Sequence, residues 1–157
     1  MKYEIKLDLK GLNKTLDEIE DSIERGIENG LKQVASEMKQ MEHDIIDSNI
    51  GGDGSYVRTG KLKSSITIMP ITWSNGIAEI SVVPKGYGDI PYFNEHGTGI
   101  YADNGQGRKT PWCYPLGGGE FRFTRGLPPK HFVRDTRELY DAKKVSVFIE
   151  QNIYRLL

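Results

Sequence analysis

The chain has a single cysteine, Cys113, in 157 residues. An internal disulfide is therefore excluded, and so is a zinc site built from several thiolates. There are only three histidines, His43, His96 and His131. No HExxH pair, nucleophile elbow or P-loop occurs, and the glycine-rich stretches 51–54 and 117–119 lack the lysine and hydroxyl residue that a phosphate cradle needs. No apolar run approaches the roughly 18–20 residues of a membrane-spanning helix. The first ten residues alternate charged and apolar side chains, so a signal peptide's apolar centre is not expected there. Net charge is −1, which argues against a strongly basic nucleic-acid binder.

What the chain does have is glycine, 18 residues of it, and a divided charge. Residues 1–48 carry a net −5 and residues 49–157 a net +4. Hydrophobic residues make up 37% and charged residues 27%, the composition of a polar globular domain. At this length a single domain, 1–157, is expected.

Periodicity predicts the elements. Tyr3, Ile5, Leu7 and Leu9 alternate with charged residues as in a half-buried strand. Gly11 and Asn13 should end it. A long helix is predicted from about 13 to 48, with Leu16, Ile19, Ile23, Ile27, Leu31, Val34, Met38, Met41 and Ile45 at gaps of three and four. Asn13 or Thr15 would cap it, and Asp17, Glu18, Glu20 and Asp21 would favour its positive end. Gly26 and Gly30 mark a bend or a close packing contact. Glu42, His43 and Asp44 read as a solvated face. Strands follow at 65–71 and 77–83 around a Ser-Asn-Gly hairpin signal at 74–76. Residues 84–119 read as mostly irregular, apart from a short aromatic element ending at Gly97. Phe121 and Phe123 suggest a strand over 120–124, and residues 134–157 a final helix with an irregularity near 142–144. The expected fold is α+β: a long N-terminal helix and a C-terminal helix packed on a small, mostly antiparallel sheet. Segments 49–57 and 99–127 are expected to be mobile loops.

Three segments carry the most information. They are Val57-Arg58-Thr59-Gly60-Lys61-Leu62-Lys63-Ser64-Ser65-Ile66, then Tyr92-Phe93-Asn94-Glu95-His96-Gly97-Thr98-Gly99, then Pro129-Lys130-His131-Phe132-Val133-Arg134 before the last helix. Their order, with a helix before the first and a hairpin before the second, resembles the small morphogenesis proteins of long-tailed bacteriophages, a family of tail components, head–tail joining and tail-completion proteins. The likeness spans residues 13 to about 145. Two features depart from that family's pattern: Arg134 stands where it usually has proline, and 100–127 reads as an insertion.

The resemblance implies a non-enzymatic structural protein at the head–tail junction or tail terminus of a phage or prophage virion. Its partners would be other head–tail connector or tail proteins and copies of itself in a ring, on the family's pattern a hexamer. It would reside in the virion, and in the host bacterial cytoplasm during assembly. No cofactor, metal or membrane is expected. Arg58, Thr59, Gly60, Leu62, Tyr92, Glu95, Gly97, Thr98 and Phe132 then read as structural motif residues. Thr59 would cap a turn, Leu62 would anchor it, and Gly97 would take a positive φ. The acidic helix and basic second half offer complementary faces for head-to-tail contact.

Two other readings compete. Residues 108–137 carry seven basic residues and two acidic ones, with Phe121, Phe123 and Phe132 interleaved. Arg108, Lys109, Arg122, Arg125 and Lys130 could contact an acidic protein partner, or a single-stranded nucleic acid. A hydrolase would need Cys113 with His96 or His131 as base, and Pro111-Trp112-Cys113-Tyr114 matches no such signature; a small, partly buried Cys113 is the plainer expectation. Arg58, a planar multi-donor cation, should pair with Glu95. In a double-mutant cycle of Arg58→Gln and Glu95→Gln, the losses in melting temperature should be non-additive; additive losses would dismiss the pair.

Overall fold

A computed structural model describes residues 9–48, 60–140 and 142–157. The expected strand at 3–9 falls almost wholly outside these residues, as do Arg58, Thr59 and the loop 49–57. The fold is α+β, with a long N-terminal helix, C-terminal helices and small antiparallel sheets. The elements are α1 (Leu9–Ser48), α2 (Lys61–Ser65), β1 (Ile66–Ile68), β2 (Thr72–Ser74), β3 (Ile77–Glu79), β4 (Val82–Pro84), α3 (Ile90–His96), a 3-10 turn (Gly99–Tyr101), β5 (Trp112–Gly117), β6 (Glu120–Thr124), α4 (Phe132–Leu139) and α5 (Ala142–Tyr154).

Helix α1 starts earlier than its apolar pattern suggests. Gly11 and Asn13 lie inside it, so neither breaks the chain. Thr15 is no N-cap: its hydroxyl donates to the Gly11 carbonyl at 3.1 Å, a bond made from within a helix. The acidic residues 17–21 accordingly sit two to three turns in, where the end-charge of the helix has faded.

The described chain forms two compact units. The first holds α1 up to Val34, residues 71–80 and α5. Here Gly26 and Gly30 are a packing contact. A Cβ on Gly30 would lie 2.7 Å from the Ile149 Cα, and one on Gly26 would lie 2.7 Å from the Ile153 Cα. The absent side chains let the two helix backbones approach. Asn152 Nδ2 donates to Gln33 Oε1 at 3.3 Å nearby. Strands β2 and β3 pair antiparallel, Ser74 with Ile77, across Asn75 and Gly76. Both turn residues have positive φ, 51° and 76°, as a two-residue hairpin matched to strand twist requires. Trp73 Nε1 donates to Glu28 Oε1 at 3.3 Å.

The second unit holds α1 from Ala35, residues 60–70 and 81–140. Its core is Ile46, Ile66 and Phe132, with Ile45, Leu62, Val82 and Val133 packed against them. Each fully buried side chain contributes about 1.5–3 kcal/mol. Strand β1 pairs antiparallel with β4, Thr67 opposite Val83. Gly60, at φ 73°, turns the chain into α2 and so delivers Leu62 and Ile66 to the core.

Three expectations need correction here. The strands expected at 65–71 and 77–83 are each broken: β1 ends at Ile68 and β2 starts at Thr72, β3 ends at Glu79 and β4 starts at Val82, and Ser65 belongs to α2; Pro70, which has no N–H for a ladder, lies in the first break. Trp112–Gly117 is a strand, paired antiparallel with β6 from Trp112–Thr124 to Gly117–Glu120 and bulged after Pro115. Pro115 and the following glycines hid it, because proline removes a ladder donor and is tolerated at bulges. The final helix is two helices, α4 ending at Leu139 and α5 beginning at Ala142.

Gly30→Ala tests the α1–α5 contact. Helix propensity alone favours alanine by about 1 kcal/mol. Overpacking against the α5 backbone should outweigh this, for a net loss of about 1–3 kcal/mol in thermal unfolding. A raised melting temperature would show that α5 does not lie on that face.

Candidate interaction surface

Of the motif residues within the described chain, Leu62, Glu95, Gly97, Thr98 and Phe132 converge on one joint in the second unit. Helix α4 begins after His131, which is left-handed at φ 49° and makes no side-chain cap. The first amides of a helix have no partner within it. Glu95, from the last turn of α3, supplies one: Oε2 accepts from the Val133 N–H at 2.9 Å and Oε1 from the Arg134 N–H at 3.0 Å. A carboxylate at a helix's positive end is favourable twice over, as acceptor and as charge. The backbones join alongside, with Lys130 N–H donating to the Asn94 carbonyl at 2.7 Å and His131 N–H to that of Glu95 at 3.2 Å. Gly97 takes φ 74° directly after α3. Thr98 then clamps the next segment. Its N–H donates to the Leu127 carbonyl, and its Oγ1 accepts from the Leu127 N–H, both at 2.8 Å. Gly99 and Gly126 let these two segments touch; a Cβ on either would overlap the other segment's backbone. Phe132 is fully buried below.

The reading of Glu42 as solvated is overturned. Glu42 is 1% exposed, and its Oε2 has no hydrogen-bond partner. The reason is helical geometry: Glu42 is seven residues after buried Ala35 and four before buried Ile46, on the same face of α1. That spacing was legible in the sequence. Burial pushes its pKa up to about 7, and the nearby Glu95 charge adds to the rise. His43 is half-buried, with Nε2 3.1 Å from the Lys63 carbonyl, and burial lowers its pKa.

Above the joint lies a concave groove of about 480 Å³. Its walls include Tyr92, Phe93, Ala102, Arg108 and Trp112, over a floor containing Gly99. Tyr92 and Phe93 meet edge to face at 5.9 Å between ring centres. Arg108 is held in place, its Nε donating to Thr110 Oγ1 at 3.0 Å and its guanidinium 5.9 Å from the centre of the Trp112 ring. Sequence reasoning marked Tyr92 as a structural motif residue and Arg108 as a partner contact, but did not single out Phe93 or Trp112. They come from segments with no shared period.

The hairpin β5–β6 has an outer face of Phe121 and Phe123, both exposed, opposite Pro115 and Cys113. Cys113 is exposed rather than partly buried, because it shares that outer face. Arg122 faces Tyr114 on the other side and is half-buried. Lys109 and Arg125 are exposed and Lys130 half-buried. His96 Nδ1 lies 3.1 Å and His131 Nδ1 3.8 Å from the same oxygen of Asp103. No helix among the described residues is long and apolar enough to cross a membrane.

No protein-family model, curated protein or solved structure matches the chain.

Glu42 should make stability depend on pH. Its folded pKa lies above the ordinary 4.5, so between about 4.5 and 7 the folded chain keeps a proton that the unfolded chain has released. Stability should therefore fall as pH rises through that window, by on the order of 3 kcal/mol. Glu42→Gln should flatten the slope in denaturant unfolding at pH 5 and 7.5. An unchanged slope would mean that Glu42 does not titrate in that window.

Proposed function

We propose that this chain is a structural protein of phage or prophage virion assembly, without enzymatic activity, working at the head–tail junction or tail terminus within a ring of its own copies. The observation that carries the reading is the convergence of the resembling segments. Leu62 and Ile66 from the first, Glu95 from the second and Phe132 from the third meet at one joint. Residues 60–66, 92–99 and 129–134 thus act together as a scaffold. What that scaffold presents outward is aromatic and basic: the groove of Tyr92, Phe93, Arg108 and Trp112, and the Phe121–Phe123 face of the hairpin. Exposed aromatic patches with a cationic rim suit recognition of other proteins.

The second reading, binding of single-stranded nucleic acid, draws on that same hairpin, where exposed Phe121 and Phe123 flank Arg122. Bases stack on such rings, and binding of this kind weakens steeply with salt.

Co-expression with neighbouring head–tail and tail proteins, followed by purification of particles, decides between them. The chain should be found in finished particles at a fixed small number of copies, and its deletion should leave heads and tails unjoined or tails unfinished. Normal, infectious particles without it would overturn the assembly reading. Salt-sensitive binding to single-stranded DNA in that case would favour the second.

A further inference from the structure

The apolar stripe of α1 is covered only in part. The close crossing with α5 lies at Gly26 and Gly30. On the N-terminal side of that crossing, Leu16, Ile19 and Ile23 are 54%, 41% and 37% exposed. Spacings of three and four put them on one face. At about 100° per residue, Asp17, Glu20 and Glu24 run along one border of that face. From Asp17 to Glu24 the chain has five acidic residues and no basic one.

The groove in the second unit has the opposite character. Tyr92 and Phe93 are 52% and 45% exposed there. The guanidinium of Arg108 is steered across Trp112, and exposed Lys109 follows it. We infer that this groove receives the Leu16–Ile23 stretch of helix α1 from a second copy of the chain. Apolar anchors at i, i+3 and i+7 are what a helix offers to an apolar groove. The stripe is about 10 Å long, within the span of such a cleft. Charge selects the occupant: the acidic border of the helix meets Arg108, whose fork can take a carboxylate in bidentate fashion. The same chain supplies both halves of the contact.

Because the two patches differ, the contact is head-to-tail. Each added copy leaves one helix and one groove free, and the series ends only by closing on itself. The inference rests on the reading that the chain assembles with its own copies, and specifies the contact through which it does so.

Light-scattering mass after size exclusion, over a concentration series at low and moderate salt, tests it. The full chain should form oligomers that weaken with salt. Ile19→Ser and Arg108→Glu should each weaken association by about tenfold, as loss of a central anchor does. Both sites are exposed, and a circular dichroism spectrum and melting temperature like those of the parent would show that folding is intact. Glu24→Arg combined with Arg108→Glu should regain part of the lost association, which a general loss of solubility or stability would not do. Oligomers indifferent to Ile19→Ser and Arg108→Glu would overturn this contact while leaving the ring reading intact. A chain that stays monomeric at every concentration would overturn the contact too, and the assembly reading would then rest on particle composition alone.

Discussion

The second unit depends on one carboxylate placed at the start of a helix. Helix α4 follows a left-handed residue, His131, and its first amides would otherwise face the end of α3 without an acceptor. Glu95 takes the amides of both Val133 and Arg134. An acceptor arriving from another element does more than a local cap. It fixes where α4 begins relative to α3, and hence where Phe132 enters the core beside Ile46 and Ile66. The backbone bonds from residues 130 and 131 to the end of α3, and from Thr98 to Leu127, have the same effect. Several modest hydrogen bonds, each worth about 1 kcal/mol net, thus act on a single joint.

That joint carries an electrostatic cost. Glu42 is buried on α1, close enough to Glu95 for that charge to add to the rise in its pKa that burial causes. Glu95 accepts from two amides at the start of a helix, whereas Glu42 Oε2 has no hydrogen-bond partner. Thr136, one turn into α4, also buries a hydroxyl without a partner. A polar interior of this kind is less stable than an apolar one of equal volume, and its groups accept few alternative arrangements.

How much of this was legible varies with the physical signal. The long helix, the Asn-Gly hairpin and the β6 strand follow from period and turn chemistry, which are local. The start of α1 was misplaced because Gly11 and Asn13 read as breakers, although a long helix tolerates both. Strand β5 was hidden by proline and glycine, since its pairing with β6 is not a property of either strand alone. Gly26 and Gly30 were seen as a bend or a contact, and only the position of α5 decides which. Glu95 was marked by its motif, yet its partners proved to be backbone amides, which no side-chain pattern records; Arg58, the partner expected for it, lies outside the described residues. The aromatic groove joins α3 to Arg108 and Trp112, more than ten positions further on, and nothing periodic links them.

The first unit draws on residues 9–34, 71–80 and 142–157, and the second on 35–48, 60–70 and 81–140, so both are closed by contacts between distant parts of the chain. The bond between Gln33 and Asn152 spans 119 positions, and that between Glu37 and Tyr140 spans 103. Loop closure over greater distance costs more entropy and slows the search. On a ribosome, the face of α1 that packs on α5 must wait for residues 142–154 to emerge. For that interval Gly26 and Gly30 leave a smooth, side-chain-free groove on an unfinished helix, so the order of folding is set by which partner arrives last.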